Sequence, residues 1–120
     1  MLLLVDDDPA FLELARRRLN VGRGILFAGN ANHARDLMRT VGADFSVAIV
    51  DLKLPGEDGF SLIRELHQNV PALPVIAVTA VYGRDGLQRA RAAGAFDALM
   101  KPIDAEWNSA IARARASLTS

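Results

Sequence analysis

Short hydrophobic runs recur along the chain, and a segment with helical spacing separates each run from the next. Runs with almost no polar face are typical of strands that helices cover on both sides of a sheet. Apolar residues three and four positions apart are typical of amphipathic helices. The pattern predicts strands at Leu2–Val5, Ile25–Ala28, Val47–Val50, Val75–Val78 and Ala98–Met100, and helices at Pro9–Asn20, Ala31–Val41, Phe60–Asn69, Arg84–Ala93 and Ala105–Ser117.

The regular alternation of strand and helix predicts an α/β fold with a mainly parallel sheet, because short connections favour right-handed crossovers. Local signals agree with these boundaries. Asp8 before Pro9 predicts a helix start, Asn30 predicts a second cap, and Gly94 stands where a helix end needs a left-handed residue. In such a sheet, ligands bind at the carboxyl ends of the strands.

Composition narrows the class of protein. The 120 residues predict one domain, 1–120, and the 14 acidic and 14 basic residues balance, so nucleic acid and membranes are not expected as direct partners. The chain has no cysteine, which excludes disulfides and thiolate sites and fits the cytoplasm as its expected location. Met1–Val5 is too short an apolar run for a signal peptide or a membrane span.

Reactive side chains stand at the ends of four predicted strands. Because the carboxyl ends of parallel strands share one edge of the sheet, these residues are expected to form one site. They are Asp6, Asp7 and Asp8 after the first strand, Asp51 after the third, Thr79 after the fourth and Lys101 after the fifth.

The charges of this group predict a cation. Two carboxylates about 4 Å apart repel by roughly 4 kcal/mol at an effective dielectric near 20, so three of them recruit positive charge or raise one another's pKa. Oxygen ligands with room for water suit Mg²⁺, or Mn²⁺ in its place. A carboxylate beside a metal and a lysine can attack phosphorus, and Asp51 is the best candidate for that nucleophile.

Four motifs now come together in one order: Val5-Asp6-Asp7-Asp8-Pro9, the segment from Val50-Asp51 to Asp58-Gly59, Val78-Thr79-Ala80 and Lys101-Pro102. They resemble the motifs of bacterial response-regulator receiver domains, and the similarity covers essentially the whole chain. The resemblance implies a flavodoxin-like three-layer fold with strand order 2-1-3-4-5. It also implies that the domain is a switch in a phosphorelay rather than an enzyme. Its chemistry would be limited to self-catalysed phosphotransfer and autodephosphorylation.

The resemblance assigns a role to each matching residue. Asp51 would be the phospho-acceptor, Asp7 a direct metal ligand and Asp6 its acidic companion. The Lys53 backbone carbonyl would be a further metal ligand, and Thr79 and Lys101 would bind the phosphoryl group. The resemblance also implies that the peptide bond before Pro102 is cis. Lysine at 101 stands out because only Lys53 and Lys101 among the 14 basic residues are lysine, and a compact ammonium suits a phosphoryl oxygen.

Other residues have structural interpretations. These are a helix cap for Asp8, a turn for Asp58-Gly59, surface positions for His33 and His67, and packing positions for Trp107 and Phe96. The arginines of the last two helices are expected to be solvated.

Two positions bear on how a signal would leave the site. Many receivers carry an aromatic residue three positions before the lysine, and this chain has Ala98 there. A weaker or different signal through the fourth helix, fifth strand and fifth helix is therefore expected. Val81, two residues after Thr79, stands where the family tunes access of the water that hydrolyses the aspartyl phosphate.

The resemblance also implies partners: a sensor histidine kinase or phosphotransfer protein, an output domain or downstream protein, and a homodimer through the fourth helix, fifth strand and fifth helix. The sequence leaves open whether the domain stands alone or belongs to a longer regulator. One alternative is a receiver-like binding module that signals without phosphorylation. A phosphatase using Asp51 is disfavoured because Lys53 occupies the place of its second aspartate, and a flavin carrier because no phosphate loop follows the first strand.

Overall fold

The computed structural model describes residues 1–19 and 22–118, in which strands and helices alternate. The strands are β1 Leu2–Val5, β2 Ile25–Ala28, β3 Val47–Asp51, β4 Val75–Thr79 and β5 Asp97–Met100, and the helices are α1 Pro9–Arg18, α2 Ala31–Val41, α3 Gly59–Asn69, α4 Arg84–Ala93 and α5 Ala105–Ser117. All the predicted elements are present, with ends that differ by at most one residue wherever both can be compared. The predicted end of the first helix, Asn20, lies outside the described residues.

The strands form one parallel sheet in the order β2-β1-β3-β4-β5. This order confirms the predicted flavodoxin-like fold. The order reverses beside β1, where β1 pairs with both β2 and β3, and the crevice at such a reversal is where this kind of sheet binds ligands.

Alternate residues of the strands point to opposite faces of the sheet, and each face buries its own core. Leu3, Val50 and Ala77 belong to the core that contains α2, α3 and α4 residues. Leu4 and Ile49 belong to the core that contains residues of α1 and α5. None of the helices among the described residues has the length and hydrophobicity needed to cross a membrane.

Side-chain caps fix the starts of α1 and α3, two of the helices that follow site-bearing strands. The Asp8 carboxylate accepts a hydrogen bond from the Ala10 backbone N–H at 2.9 Å, as predicted for a cap before Pro9. Asp58, predicted to form a turn with Gly59, is instead the N-cap of α3 and accepts from the Ser61 N–H at 2.7 Å. Such caps contribute about 1 kcal/mol each and set where the loops between strand and helix end.

Two aromatic residues were predicted to pack, and the structure separates them. Trp107 of α5 is 1% exposed and lies against the Phe11 ring, with the ring centroids 5.8 Å apart. Phe96 precedes β5 and is 43% exposed, so the prediction of a packing position for Phe96 was wrong. Its backbone N–H bonds to the Val75 carbonyl at 2.7 Å, which starts the β4–β5 pairing while the ring stays outside the core. His33 and His67 are exposed, as expected.

Candidate functional site

The residues predicted to form a site stand at the carboxyl edge of the sheet. Asp51 and Thr79 are the last residues of β3 and β4, and Asp6 follows β1. Lys101 follows β5 and is held there by its backbone N–H, which donates to the Thr79 carbonyl at 2.8 Å. The Lys101-Pro102 peptide bond is cis, as the resemblance implied.

Lys101 joins two of the aspartates. Its Nζ donates to Asp6 Oδ2 at 2.7 Å and to Asp51 Oδ2 at 2.8 Å, although these residues lie 95 and 50 positions away in the sequence. The same Nζ lies 4.2 Å from the centroid of the Phe11 ring of α1. The ammonium is therefore fixed between two carboxylates and an aromatic face.

Burial sets the protonation balance of this group. Asp6 is 0% exposed, and burial raises the pKa of its carboxyl, although hydrogen bonds from Lys101 and the Asp8 N–H lower it in part. Burial alone would lower the pKa of Lys101, but its hydrogen bonds to Asp51 and Asp6 outweigh that effect and raise the pKa. Lys101 is consequently charged at neutral pH. For Asp6, burial disfavours the ionised form of the carboxyl.

Asp6→Asn is expected to change the pH dependence of stability in the absence of divalent cations. Because the pKa of Asp6 is raised above its ordinary 3.8, the folded protein keeps this proton at pH values where the unfolded chain has lost it. The wild type therefore loses unfolding free energy as the pH rises from about 4 through the raised pKa, and Asp6→Asn lacks this loss. Urea unfolding at a series of pH values measures it; a constant difference between the two proteins across that range would contradict the assignment.

Asp51 is placed at the border between the core and solvent. It is 7% exposed, and its Oδ1 accepts from the Lys53 backbone N–H at 2.9 Å while Oδ2 accepts from Lys101. The start of α3 lies directly behind it, since the Gly59 N–H donates to the Leu52 carbonyl at 2.9 Å. The carboxylate is thus oriented by a backbone amide and a cation while its surface opens to one side.

Thr79 is fully buried, and its hydroxyl is held by the loop that follows β4. Its Oγ1 accepts from the Val81 N–H at 3.1 Å and from the Tyr82 N–H at 2.9 Å. Val81 itself is 63% exposed. The Thr79 hydroxyl therefore lies at the end of β4, the strand next to the one that ends in Asp51. Its oxygen accepts hydrogen bonds from two backbone amides of the loop after β4.

A cleft of about 340 Å³ opens in front of Asp51. It is lined by Asp7, Asp51, Lys53, Leu54, Pro55, Ala80 and Val81. The lining includes the exposed Asp7 and the Asp51 acceptor candidate, and carboxylate oxygens are the ligands that Mg²⁺ accepts together with water. Among the residues that the structure describes, no three His, Cys, Asp or Glu side chains are grouped to hold a metal by themselves.

Three contacts at the site have no signal in the sequence pattern. Phe11 lies beneath the Lys101 ammonium, although its apolar position in α1 predicts only core packing. The Tyr82 ring meets the Phe60 ring at 5.4 Å between centroids, in an edge-to-face arrangement. Arg35 of α2 binds Glu57 in the loop after β3. Each contact joins distant segments, so only the folded chain reveals it.

The family model of the response regulator receiver domain matches residues 2–111. The DNA-binding transcriptional regulator NtrC of Escherichia coli is 36% identical over 101 residues, which are 84% of this chain and 21% of NtrC. The chain spans less than a quarter of the length of curated relatives of this kind.

Solved structures agree with the family match. A response regulator receiver domain protein from Clostridium thermocellum has a TM-score of 0.86 and 27% identity, covering 96% of this chain and 93% of that one. A response regulator protein from Burkholderia pseudomallei, with a phosphorylated aspartic acid, a calcium ion and citrate, has a TM-score of 0.78 and 27% identity. It covers 96% of this chain and 70% of that one.

Proposed function

The chain belongs to the response regulator receiver domain family of two-component systems, and from that premise we propose that Asp51 accepts a phosphoryl group. The observation that carries the proposal is the Lys101 ammonium, which bonds the carboxylates of both Asp6 and Asp51 at the edge of an open cleft. The fixed ammonium offsets part of the repulsion between the two carboxylates, and together with a divalent cation it would present positive charge to an anionic ligand. The whole span 1–120 is proposed to act as one receiver domain.

The proposed chemistry is a single phosphoryl transfer. An Asp51 carboxylate oxygen attacks the phosphorus atom, an acyl phosphate bond forms, and the bond from phosphorus to the donor's leaving group breaks. Lys101 is already within hydrogen-bond distance of Asp51 and binds a phosphoryl oxygen as charge develops. Thr79 contributes its hydroxyl from the next strand end. Water later hydrolyses the acyl phosphate, which ends the signal.

Three groups around the cleft fit a divalent cation. Asp7, Asp51 and the Lys53 backbone carbonyl are proposed to hold Mg²⁺ or Mn²⁺, with Asp6 orienting metal-bound water. When bound, the cation neutralises charge on the phosphoryl oxygens. The Burkholderia structure, which carries both a calcium ion and a phosphorylated aspartic acid, supports this combination in a similar protein.

The proposed partners follow from the family. A sensor histidine kinase or phosphotransfer protein would supply the phosphoryl group in the cytoplasm, and an output domain or downstream protein would read it. NtrC is a DNA-binding transcriptional regulator of which this chain matches about a fifth, which supports an output domain in relatives of this length. A homodimer through α4, β5 and α5 is a further proposal, and the domain itself is not proposed to bind nucleic acid or membranes directly.

A phosphoryl mimic is expected to move the loop after β4 more than it moves α4. Ala98 is 3% exposed and carries no ring to follow Thr79, whereas the Tyr82 N–H bonds directly to the Thr79 hydroxyl. Amide chemical shifts with and without beryllofluoride and Mg²⁺ measure the response. Beyond the residues that line the cleft around Asp51, the changes are expected to be confined mainly to residues 80–83. Shift changes throughout α4 and β5 would contradict this proposal.

Val81→Glu is expected to shorten the lifetime of the aspartyl phosphate. Val81 lines the cleft and is 63% exposed but has no polar group to orient an attacking water, whereas a carboxylate there could do so. Loss of phosphorylated protein, followed by intact mass after removal of the phosphodonor, gives the rate. Val81→Leu is the matched control, and an equal lifetime in Val81→Glu and wild type would sink this account.

The binding-module alternative keeps the fold but involves no phosphorylation. Incubation with acetyl phosphate and Mg²⁺, followed by intact mass measurement of wild type and Asp51→Ala, separates the two functions. The receiver function predicts one added phosphoryl group on the wild type and none on Asp51→Ala. An unchanged wild-type mass would favour the binding module.

A further inference from the structure

An ion-pair cluster of Arg35, Glu57 and Glu65 involves the loop that lines the cleft. The β3–α3 loop, residues 52–58, contributes Lys53, Leu54 and Pro55 to the cleft lining. The next acidic residue of the same loop, Glu57, points to α2, where Arg35 Nη2 donates to Glu57 Oε2 at 2.5 Å and Nη1 donates to Oε1 at 3.0 Å. The loop that would carry a metal ligand is therefore bonded to a helix by a two-pronged contact.

Arg35 is itself held from two further sides. Its Nε and Nη2 donate to the Glu65 carboxylate of α3, and its Nη1 donates to Asn32 Oδ1 one turn earlier in α2. The Arg35 side chain is 25% exposed and the Glu57 side chain 29% exposed, so the pair is shielded more than an ordinary surface ion pair. A planar guanidinium that bonds both oxygens of Glu57 fixes the position of its partner better than a single lysine contact would.

The two ends of the loop are held by a contact within the loop and by packing against the core. An antiparallel bridge joins Lys53 to Asp58, and Leu54 is buried at 8% exposure. The tip between them contains Gly56 with a φ of 79°, a left-handed conformation that glycine adopts readily. The contact from Glu57 to Arg35 adds a restraint that joins this tip to α2.

We propose that Arg35 is a positioning residue, which holds the β3–α3 loop through Glu57 in the arrangement that a divalent cation needs. The proposal rests on the proposed function, because it takes the Lys53 backbone carbonyl as a metal ligand. The physical reason is preorganisation: a backbone ligand in a loop that is already fixed loses less freedom on binding than one in a loose loop. Neither Arg35 nor Glu57 is proposed to touch the cation.

Three substitutions separate positioning from simple charge effects. Glu57→Gln removes a negative charge and releases the loop. Arg35→Gln removes a positive charge and also releases the loop. Glu65→Gln removes a negative charge from the same cluster but leaves the Arg35–Glu57 contact in place, so it is the matched control. Coulomb attraction alone predicts that Glu57→Gln weakens Mg²⁺ binding and Arg35→Gln strengthens it, whereas positioning predicts that both weaken it.

Titration of the unphosphorylated protein with Mg²⁺ alone, followed by calorimetry, measures the affinity. Outer contacts of metal ligands typically change affinity by 10-fold or more, so the dissociation constant is expected to rise about 10-fold in both Glu57→Gln and Arg35→Gln. Glu65→Gln is expected to stay within about 2-fold of wild type, in line with the small value of an exposed ion pair. Tighter binding by Arg35→Gln, or equal losses in Glu57→Gln and Glu65→Gln, would overturn the proposal.

Amide hydrogen exchange without metal tests the loop directly. Residues 53–58 are expected to exchange faster in Glu57→Gln and Arg35→Gln than in wild type, while Glu65→Gln matches wild type in this segment. Unchanged exchange in all three variants would overturn the proposal even if their Mg²⁺ affinities differed. Failure of wild type to accept a phosphoryl group would instead refute the proposed function, and the exchange result for the loop would still stand.

Discussion

Lys101→Met is expected to slow phosphoryl transfer from acetyl phosphate to Asp51 by about 100- to 1000-fold, the usual effect of losing one preorganised donor to a developing charge. Its Nζ lies 2.8 Å from the Asp51 carboxylate and 2.7 Å from the Asp6 carboxylate, and these two hydrogen bonds fix the position of the charge. A water molecule in its place would carry no charge. Methionine keeps the length and apolar contact of the side chain over Phe11 while it removes the charge.

The rate is measured as the appearance of phosphorylated protein by intact mass, at a saturating Mg²⁺ concentration. Arg113→Met is the matched control, because it removes one positive charge from the surface of α5 and leaves Asp97 paired with Arg91. That variant is expected to react at nearly the wild-type rate. A Lys101→Met rate within about 3-fold of the control would show that Lys101 contributes no more than a screened surface charge.

Gly59→Ala is expected to lower the free energy of unfolding by about 3 kcal/mol or more, at the upper end of the cost of overpacking. A methyl group at this position would overlap the backbone carbonyl oxygen of Asp51 and lie 2.7 Å from the Leu52 Cα. Both neighbours are backbone atoms, which cannot rotate aside as a side chain can. The end of β3 and the start of α3 would have to separate.

Urea unfolding at neutral pH measures this effect. Gly29→Ala is the matched control, because a methyl group there would meet no atom within 4 Å and its φ lies outside the left-handed region. The control is expected to change stability by about 1 kcal/mol at most. Equal stability of Gly59→Ala and wild type would mean that the close packing of α3 on the acceptor strand is not required.

The fold could be predicted from the sequence because each strand and each helix carries its own periodicity. Buried runs such as Leu2–Val5 and Val47–Val50 have no polar face, and short connections leave a parallel sheet as the simple arrangement. The same topology brings Asp6, Asp51 and Lys101 to one edge. Their shared edge follows from strand direction, so the residues of the candidate site were predictable as a group.

The contacts within that group were not predictable to the same degree. A carboxylate after a strand can face solvent or core, and only packing makes Asp6 fully buried and Asp7 exposed. Phe96 was predicted to pack because it is aromatic, yet its position before β5 leaves it outside both cores. Packing depends on neighbours from distant segments, which periodicity does not specify.

Gly59 and Arg35 illustrate two further limits. Gly59 was predicted as part of a turn, whereas its role is to let α3 approach the Asp51 carbonyl, a distance that only the folded chain defines. Arg35 has the spacing of an ordinary helix-surface residue, and its pairing with Glu57 joins α2 to a loop 22 positions later. Charged surface residues carry no pattern that identifies a distant partner.

Chemical mapping of the modified residue tests directly whether Asp51 is the phospho-acceptor. Wild-type protein treated with acetyl phosphate and Mg²⁺ is reduced with borohydride, which converts an aspartyl phosphate into homoserine, and its peptides are then identified by mass. Conversion at position 51 alone is expected, and chelation of Mg²⁺ is expected to abolish it. Conversion at Asp6 or Asp7, or none at any aspartate, would contradict the assignment of Asp51 as the acceptor.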